Sequence, residues 1–571
     1  MSLAVFLPLL VSLGICLVPV LLLRRRDFPR GQDDLVSPGY TPPEVIRNSS
    51  IAYSLRLAAF GPIFVLGARG DFRPVIIAAA CFGMGIYLIY ILRRPILEFL
   101  VEAVGSDQSI TVHRFIARQH GDDPRVYRFA AAVTVFTLAV VVAAEALALS
   151  AFLKLVFGSE IIARVLTIGG LLLAALYAFP AGHSGTMHAT QLQLGMIHFG
   201  LFGMAALLIY LHLSALTPLP PHGAFAVVLA AACCMAMLFY RRSRYVDAGL
   251  IDTSACAKWF SKFWKVFNPV VSVFAVLVIV LALMEFYAAG FPAIAQAGVM
   301  ALQAGTEIPV VGLIALALLP LVHPLIDITH WQRLAAAEKN KDAYQGDTAR
   351  WMAALRAIFR IYAVESPLLW LLIASLGAIA AAALALPDGA DPMQAFVQAL
   401  VAGGNGIITA AFSLLLIAVG ALALSTMSSV VSAGLCTVRY DLLPANGKAR
   451  SSGVAGYALF PAMLAGLVLA DTSPPISFTS TGFLALLFAL GAPVLSFVPL
   501  ILGPIVGRCA SPGLALLILG AGVVCTSGGL AAYIATGSET WLWGSVPSGL
   551  GLGCLLFAVG SSPNGQGSRM R

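Results

Sequence analysis

The amino-acid sequence predicts an all-α polytopic membrane protein with about fifteen transmembrane helices. Its 571 residues are 60% hydrophobic and only 11% charged, whereas about a quarter of the residues of a soluble domain are charged. Apolar runs of the ~20 residues that an α-helix needs to cross a bilayer recur along the whole chain. Basic residues are concentrated in alternate connecting segments, so the net charge of +8 reflects membrane topology and not nucleic-acid binding.

The predicted helices follow from these apolar runs, taken in order. The first run precedes the positive charges Arg24, Arg25 and Arg26, which is the reverse of a signal peptide, so we expect a retained helix. With the N-terminus outside, most Lys and Arg residues fall on the cytoplasmic side, and an odd number of spans leaves the C-terminus cytoplasmic. The helices are predicted near residues 3–23, 51–69, 74–92, 129–157, 163–180, 193–213, 224–240, 268–288, 309–329, 362–386, 406–434, 452–470, 480–500, 513–535 and 546–560.

Two of these helices are interrupted by proline in the same way. The second predicted helix contains Gly61-Pro62, and the ninth contains His323-Pro324. A proline inside a helix frees the carbonyl four residues earlier, which for Pro62 is the carbonyl of Ala58. With the assigned topology the two helices run in opposite directions, which points to inverted repeats around a binding site at the middle of the bilayer. Ordinary proline kinks are the alternative interpretation.

A hydroxyl-rich stretch lies late in the helix predicted near 406–434. Leu422, Ser425 and Thr426 share one helical face, because residues three and four apart stack above one another. Two hydroxyls one turn from a backbone carbonyl suit a hard, weakly charged cation, which prefers oxygen ligands. The alternative is that these hydroxyls bond to carbonyls of their own or a neighbouring helix.

Three segments resemble motifs of the sodium/solute symporter family, which includes the bacterial proline, sialic-acid and galactose symporters. The segment WQRLAAAEKNKDA (331–343) resembles the family's Q-R-x-x-A-A-K/D motif after its sixth core helix. A family pattern of two adjacent hydroxyl residues, then small residues, then Asp-Leu fits residues 425–442 without a gap. The segment AGHSGTMHATQLQ (181–193) is similar to the family's G-G-x-x-A-V-x-x-T-D-x-x-Q loop.

The resemblance implies a fold like that of the leucine transporter, with five core helices and five inverted ones around a central site. The core would run from the helix near 51–69 to the one near 480–500, without the pair near 224–240 and 268–288. It also implies a multi-pass protein of the bacterial plasma (inner) membrane. The resulting segments are an N-terminal helix with its linker, a first repeat, an inserted helix pair, a second repeat and C-terminal peripheral helices, at 1–50, 51–213, 214–308, 309–500 and 501–571.

The resemblance further implies a sodium site. In this family a sodium ion lies between the break in core helix one and core helix eight. Carried over residue by residue, its ligands here would be the hydroxyls of Ser425 and Thr426. The remaining ligands would be the carbonyls of Ala58, Gly61 and Leu422. The proline argument identifies the same carbonyl of Ala58.

The sequence departs from the family at several places. Ala189-Thr190 stand where the family has Thr-Asp, an acidic residue that the family links to sodium release. A proton is the alternative coupling ion, with Glu145, His323 and Asp327 as the candidate proton-binding residues. The residues after Pro62 are apolar where the family has polar ones, so Phe64 and Val65 are the candidates for substrate contact there.

Ionisable residues within predicted spans are further candidates for substrate binding, because charge is costly in a bilayer. Glu145, in the third core helix, could bind a proton or a substrate amine. His323 and Asp327 share one face beside the second break and could bind polar substrate or relay protons. Structural hydrogen bonds are the alternative for all three. Arg56, near the inner end of core helix one, is predicted to reach the lipid headgroups or to pair with a carboxylate.

These observations predict a secondary active transporter that takes up a small polar solute, an amino acid or organic acid, by sodium-driven alternating access. A proton-coupled transporter of the same fold and a solute sensor or regulatory membrane subunit are the alternatives. An enzyme is not expected, because the sequence has no nucleophile motif, metal-ligand cluster or glycine-rich phosphate loop. The expected partners are the solute, sodium and the lipid bilayer. Nucleic acid is not expected, and the sequence indicates no particular protein partner.

Overall fold

The structure, a computed structural model, describes residues 41–105, 111–214, 221–242, 255–289, 296, 299, 307–339, 347–387, 390–403, 406–442 and 479–563. Within these ranges the protein is helical, apart from one antiparallel pair of short strands, Arg508–Cys509 (β1) and Ser562–Pro563 (β2). Nine of the described helices are long and apolar enough to span a membrane, and two bent pairs meet the same criterion together. The all-α polytopic membrane fold is therefore confirmed. The helices predicted near 3–23 and 452–470 lie outside the described residues.

The helices are numbered in chain order. Those up to the inserted pair are α1 (Pro43–Ser54), α2 (Leu57–Ala68), α3 (Arg73–Ile91), α4 (Arg93–Gly105), α5 (Val112–Gln119), α6 (Pro124–Phe157), α7 (Glu160–Ser214), α8 (Pro221–Arg242) and α9 (Ala255–Ala289). Those that follow are α10 (Val310–Ile326), α11 (Ile328–Lys339), α12 (Thr348–Ala383), α13 (Pro392–Ala402), α14 (Gly406–Thr437), α15 (Thr481–Gly491), α16 (Phe497–Ile505), α17 (Pro512–Thr536) and α18 (Thr540–Gly560). A π-helical turn, Val438–Leu442, extends α14, and a 3₁₀ turn, Ala492–Ser496, joins α15 to α16.

Two predicted boundaries differ from the structure. α7 is one helix of 55 residues, so the helices predicted near 163–180 and 193–213 are continuous and the predicted loop 181–193 is helical. Alanine, methionine, glutamine and leucine in that segment favour a helix, and its two glycines do not end it. α1 begins at Pro43, where a proline is well suited to the first helical turn, so the predicted segment boundary at residue 50 falls inside a helix.

Each bent pair corresponds to one predicted broken span. α1 and α2 meet at an angle of 61° with Leu55 and Arg56 between them, and α10 and α11 meet at 41° around Asp327. The existence of two broken helices is confirmed, but both predicted positions are wrong, because Pro62 and Pro324 lie inside α2 and α10. A proline removes one hydrogen bond, and a membrane helix packed against its neighbours tolerates that loss.

Two glycines let α2 and α10 pack with their backbones against neighbouring helices. A Cβ atom on Gly377 of α12 would lie 1.9 Å from the carbonyl oxygen of Phe64 in α2. A Cβ atom on Gly85 of α3 would lie 2.2 Å from the carbonyl oxygen of Leu321 in α10. Only glycine fits at such approaches. α3 and α12 are the second helices of the two predicted repeats, so the two contacts correspond to each other and hold both proline-containing helices.

Apolar side chains cover the outside of the helices. Val273, Leu283 and Val524 are 65%, 62% and 68% exposed, as expected for side chains that face lipid. Polar and charged side chains are buried between the helices instead, among them Glu145 and Arg333. Both helix breaks lie in this interior, among the buried polar side chains.

Candidate cation and solute sites at the first helix break

The carbonyl oxygens at the end of α1 are contacted by hydroxyls of α14. Ser425 Oγ donates to the carbonyl oxygen of Ala52 at 3.2 Å, and Thr426 Oγ1 donates to that of Leu55 at 3.4 Å. Ser425 Oγ also lies 2.9 Å from the carbonyl oxygen of Leu422. Both hydroxyl side chains are fully buried. Three carbonyl oxygens and two hydroxyl oxygens, all uncharged, therefore gather at the first break.

The carbonyls that face the two hydroxyls differ from those predicted as ligands. Leu422 and the two hydroxyls lie together as expected, but the carbonyls that face them belong to Ala52 and Leu55. The carbonyls proposed before, those of Ala58 and Gly61, belong to residues six positions further along, inside α2. Both pairs of carbonyls are three residues apart. The difference of six residues between the pairs therefore follows from the wrong predicted position of the break.

The five oxygens suit a monovalent cation. The C-terminal end of α1 carries the partial negative charge of the helix dipole. Unwound carbonyls and the C-terminal ends of half-helices are the groups that coordinate sodium in transporters with broken helices. Calcium and magnesium are usually bound through carboxylates, and none of the five oxygens belongs to a carboxylate.

A cavity of about 140 Å³ lies beside the same break. Both broken helices contribute to its wall, together with α3, α6, α12 and α15. Glu145, His323 and Asp327 line it, so the structure brings together three of the predicted solute-binding residues. Phe64 and Val65 are not among the described residues of the wall. They lie about two turns beyond the break, and Phe64 packs instead on a phenylalanine of α13.

Arg56 lies in the break itself and lines the cavity. Its Nη2 is 3.3 Å from the hydroxyl of Tyr53 and 3.0 Å from Nε2 of His323. In the described part of the chain, none of the ion pairs involves Arg56. The two positions predicted for this side chain, at the lipid headgroups or paired with a carboxylate, are therefore replaced by a position on the cavity wall.

Glu145 of α6 holds the start of α2. Its Oε2 accepts a hydrogen bond from the backbone N–H of Leu57 at 2.9 Å, and its Oε1 accepts one from that of Ala58 at 3.4 Å. The first N–H groups of a helix have no partner inside the helix, and the helix dipole favours negative charge there. No side chain of the preceding residue caps α2, so the fully buried Glu145 takes that role from another helix.

Asp327, in the second break, is surrounded by hydrogen-bond donors. Its Oδ1 accepts from the backbone N–H and the hydroxyl of Thr329 at 2.8 and 2.9 Å. Its Oδ2 accepts from the hydroxyl of Tyr53 at 2.5 Å. Nitrogens of His323 and His330 lie 3.3 and 3.5 Å from the same oxygen. The carboxylate thus caps α11 and joins the second break to α1.

The same cluster has the spacing of a metal site. Donor atoms of His323, Asp327 and His330 lie within 4.8 Å of one another, and two imidazoles with a carboxylate are a ligand set for transition metals. However, the guanidinium of Arg56 lies 3.0 Å from Nε2 of His323 and would repel a metal cation. The arrangement therefore favours a hydrogen-bonded network over a metal site.

Arg333 is a charged residue of the interior that the sequence analysis missed. Its Nε and Nη2 lie 3.2 and 3.4 Å from the hydroxyls of Ser49 in α1 and Ser429 in α14, and its Nη1 donates to the carbonyl of Thr329 at 3.1 Å. It therefore ties α11 to the two helices that supply the five oxygens. The sequence signal for it was the Q-R pair of the segment 331–343.

The chain is similar in fold to a solved Na⁺-coupled sialic acid symporter, whose structure is of a substrate-bound, outward-open state with a novel Na⁺ site. The TM-score is 0.58 at 13% sequence identity, and the match covers 98% of this chain and 99% of that one. No protein-family model and no curated protein matches the sequence. At this identity the likeness concerns the fold alone. The chain therefore shares the fold of that solved structure, which is an all-α polytopic membrane fold.

Proposed function

We propose that the protein is a secondary active transporter in which sodium at the first helix break drives uptake of a small polar solute, an amino acid or organic acid. The observation that carries the proposal is the set of five uncharged oxygens from Ala52, Leu55, Leu422, Ser425 and Thr426. The symporter-like fold supports it, as does a cavity walled by both broken helices.

The cation and the solute act through neighbouring residues. Leu55 supplies a carbonyl to the cation site, and the next residue, Arg56, lines the cavity. A cation that holds Leu55 in place therefore also holds Arg56 in place. Binding of each ligand strengthens binding of the other by the same factor. In alternating access, sodium favours the outward-open state, which then accepts the solute.

The proposed location is the bacterial inner membrane, with the N-terminus outside and the C-terminus in the cytoplasm. The support for this orientation is the distribution of basic residues between the connecting segments.

Sodium binding tests the cation site without knowledge of the solute. Purified protein is expected to bind radioactive sodium and to unfold at a higher temperature in sodium than in choline. Ser425→Ala and Thr426→Ala each remove one of five ligands and are expected to lower the sodium affinity about tenfold. Thr437→Ala is the matched control, because this hydroxyl of the same helix donates to the carbonyl of Ala433 at 3.0 Å. Unchanged affinity in both site variants would refute the assignment.

A proton-coupled transporter is the second candidate, favoured by the carboxylates of Glu145 and Asp327 on the cavity wall. The family's acidic loop residue is also replaced here, and the hydroxyl of Thr190 donates within α7 to the carbonyl of Met187 at 3.2 Å. Uptake into liposomes that follows a pH gradient and ignores sodium would select this candidate. Solute binding without any flux would identify a sensor instead.

A further inference from the structure

Arg56 has no carboxylate within ion-pair distance among the described residues, and Asp327 and Glu145 attract its charge only from further away. Its Nη2 contacts Tyr53 and His323, at 3.3 and 3.0 Å. Within the described part of the chain, its Nε and Nη1 have no hydrogen-bond partner and no carboxylate pairs with it. A charge removed from water is costly when it has no partner. An anionic group in the cavity would therefore satisfy this guanidinium.

The other anion-binding feature of the break is already occupied. The N-terminus of a half-helix commonly receives the anionic group of a transported solute, because its N–H groups and dipole favour negative charge. Here the carboxylate of Glu145 accepts from the N–H groups of Leu57 and Ala58, at 2.9 and 3.4 Å. An anionic solute is therefore directed to Arg56 and not to the end of α2.

The two carboxylates on the cavity wall also have hydrogen-bond donors from the protein itself. Glu145 is used by the backbone of α2, and Asp327 accepts from Tyr53 and from both donors of Thr329. Every oxygen of the two carboxylates already accepts a hydrogen bond, which makes them weaker partners for an amino group of the solute. This argues against an amino acid and in favour of an acid without an amine.

Much of the rest of the wall is apolar. The rings of Phe82 and Trp370 stack with centroids 5.1 Å apart, and Leu319, Leu487 and Phe488 also line the cavity. A sugar would find few hydrogen-bond partners on these side chains. A short aliphatic or aromatic group would instead bury apolar surface against them.

We propose that Arg56 anchors the solute, and that the solute is a compact organic monocarboxylate with an apolar remainder. This inference rests on the proposed function and specifies its substrate class. The carboxylate pairs with the planar guanidinium, which matches its two oxygens better than an ammonium does. The apolar remainder lies against Phe82 and Trp370, and the cavity volume of about 140 Å³ restricts its size.

Thermal unfolding of the purified full-length protein, titrated with matched small molecules, tests the substrate class. The probes are propionate, propionamide and alanine, with benzoate and benzamide as an aromatic pair. Propionate or benzoate is expected to raise the unfolding temperature in a saturable way, whereas the amides and alanine are not. Amides or alanine that bind as well as the acids, or five inactive probes, would overturn the proposal.

Substitutions test the anchor. Arg56→Gln is expected to weaken carboxylate binding about tenfold or more, and Arg56→Lys is expected to weaken it less. Arg356→Gln is the control, because this exposed arginine of α12 contacts Tyr90 at 3.3 Å and does not line the cavity. Full carboxylate affinity in Arg56→Gln would overturn the assignment.

Stabilisation of the protein by sodium distinguishes a failure of this proposal from a failure of the proposed function. Stabilisation by sodium is expected to persist in Arg56→Gln, which also shows that the variant folds. If that variant does not fold, Arg56→Lys and the wild-type probe series still decide the question. Failure of sodium to stabilise the wild-type protein would instead count against the cation site, whatever the carboxylates do.

Discussion

The two broken helices share one architecture but differ in how their charged residues are satisfied. At the second break, the carboxylate of Asp327 receives hydrogen bonds from Tyr53 and Thr329 and lies beside two histidines. At the first break, Nη2 is the one guanidinium nitrogen of Arg56 that has hydrogen-bond partners among the described residues. The carboxylate at the second break is therefore satisfied within the protein, whereas the guanidinium at the first break has two nitrogens left for a ligand.

The backbone carbonyls at the two breaks also differ in their surroundings. A tryptophan indole satisfies one carbonyl at each: Trp331 Nε1 donates to Leu325 at 2.8 Å, and Trp370 Nε1 donates to Ser54 at 3.2 Å. Trp331 is fully buried, whereas Trp370 is part of the cavity wall. The first break additionally directs two carbonyls to the hydroxyls of α14. Among the described residues, the two carbonyls directed to α14 therefore distinguish the first break from the second.

The largest expected effect is on the free energy of unfolding, and it distinguishes Asp327 from Arg56. Asp327→Ala removes the acceptor of Tyr53 and Thr329 and is expected to cost about 3 kcal/mol of unfolding free energy. Arg56→Met removes a charge that has no carboxylate within ion-pair distance among the described residues, so its stability without solute is expected to stay within about 1 kcal/mol of the wild type. Thermal unfolding measures both. Equal losses would mean that Arg56 is as structural as Asp327 and would remove the distinction between the breaks.

A smaller effect is expected for Trp331 and Trp370, which differ in whether their substitution changes solute affinity. Trp331→Phe and Trp370→Phe each leave one carbonyl without its donor and are expected to cost about 1 kcal/mol. Only Trp370→Phe is expected to change the affinity for a carboxylate probe, because only Trp370 lines the cavity. The same probe titrations measure this difference. A comparable change of affinity in Trp331→Phe would contradict the contrast.

Properties that depend on local sequence were predictable. Hydropathy alone indicates most of the membrane helices, because each must only be long and apolar enough. The prolines indicated two broken helices, and helical spacing placed Leu422, Ser425 and Thr426 together. In each case the relevant residues lie within a few turns of one another.

The position of the first break was not predictable, because residues 54–57 contain neither proline nor glycine. Partners distant in sequence determine it. Glu145 caps α2 from 88 residues away, and Ser425 contacts Ala52 across 373 residues. The predicted ligand carbonyls lie six residues beyond the carbonyls that face the hydroxyls because of this one error. For the same reason Phe64 and Val65 are not among the described residues of the cavity wall. Arg56 became a candidate only once the break placed it on the cavity wall.

The most direct test of coupling at the first break is a titration of propionate into the purified protein, in sodium and in choline. Sodium is expected to raise the propionate affinity of the wild type about fivefold or more, and propionate is expected to raise the sodium affinity by the same factor. In Ser425→Ala the difference between sodium and choline is expected to disappear. Wild-type affinities for propionate that are equal in sodium and choline would contradict a shared site of coupling at Leu55 and Arg56.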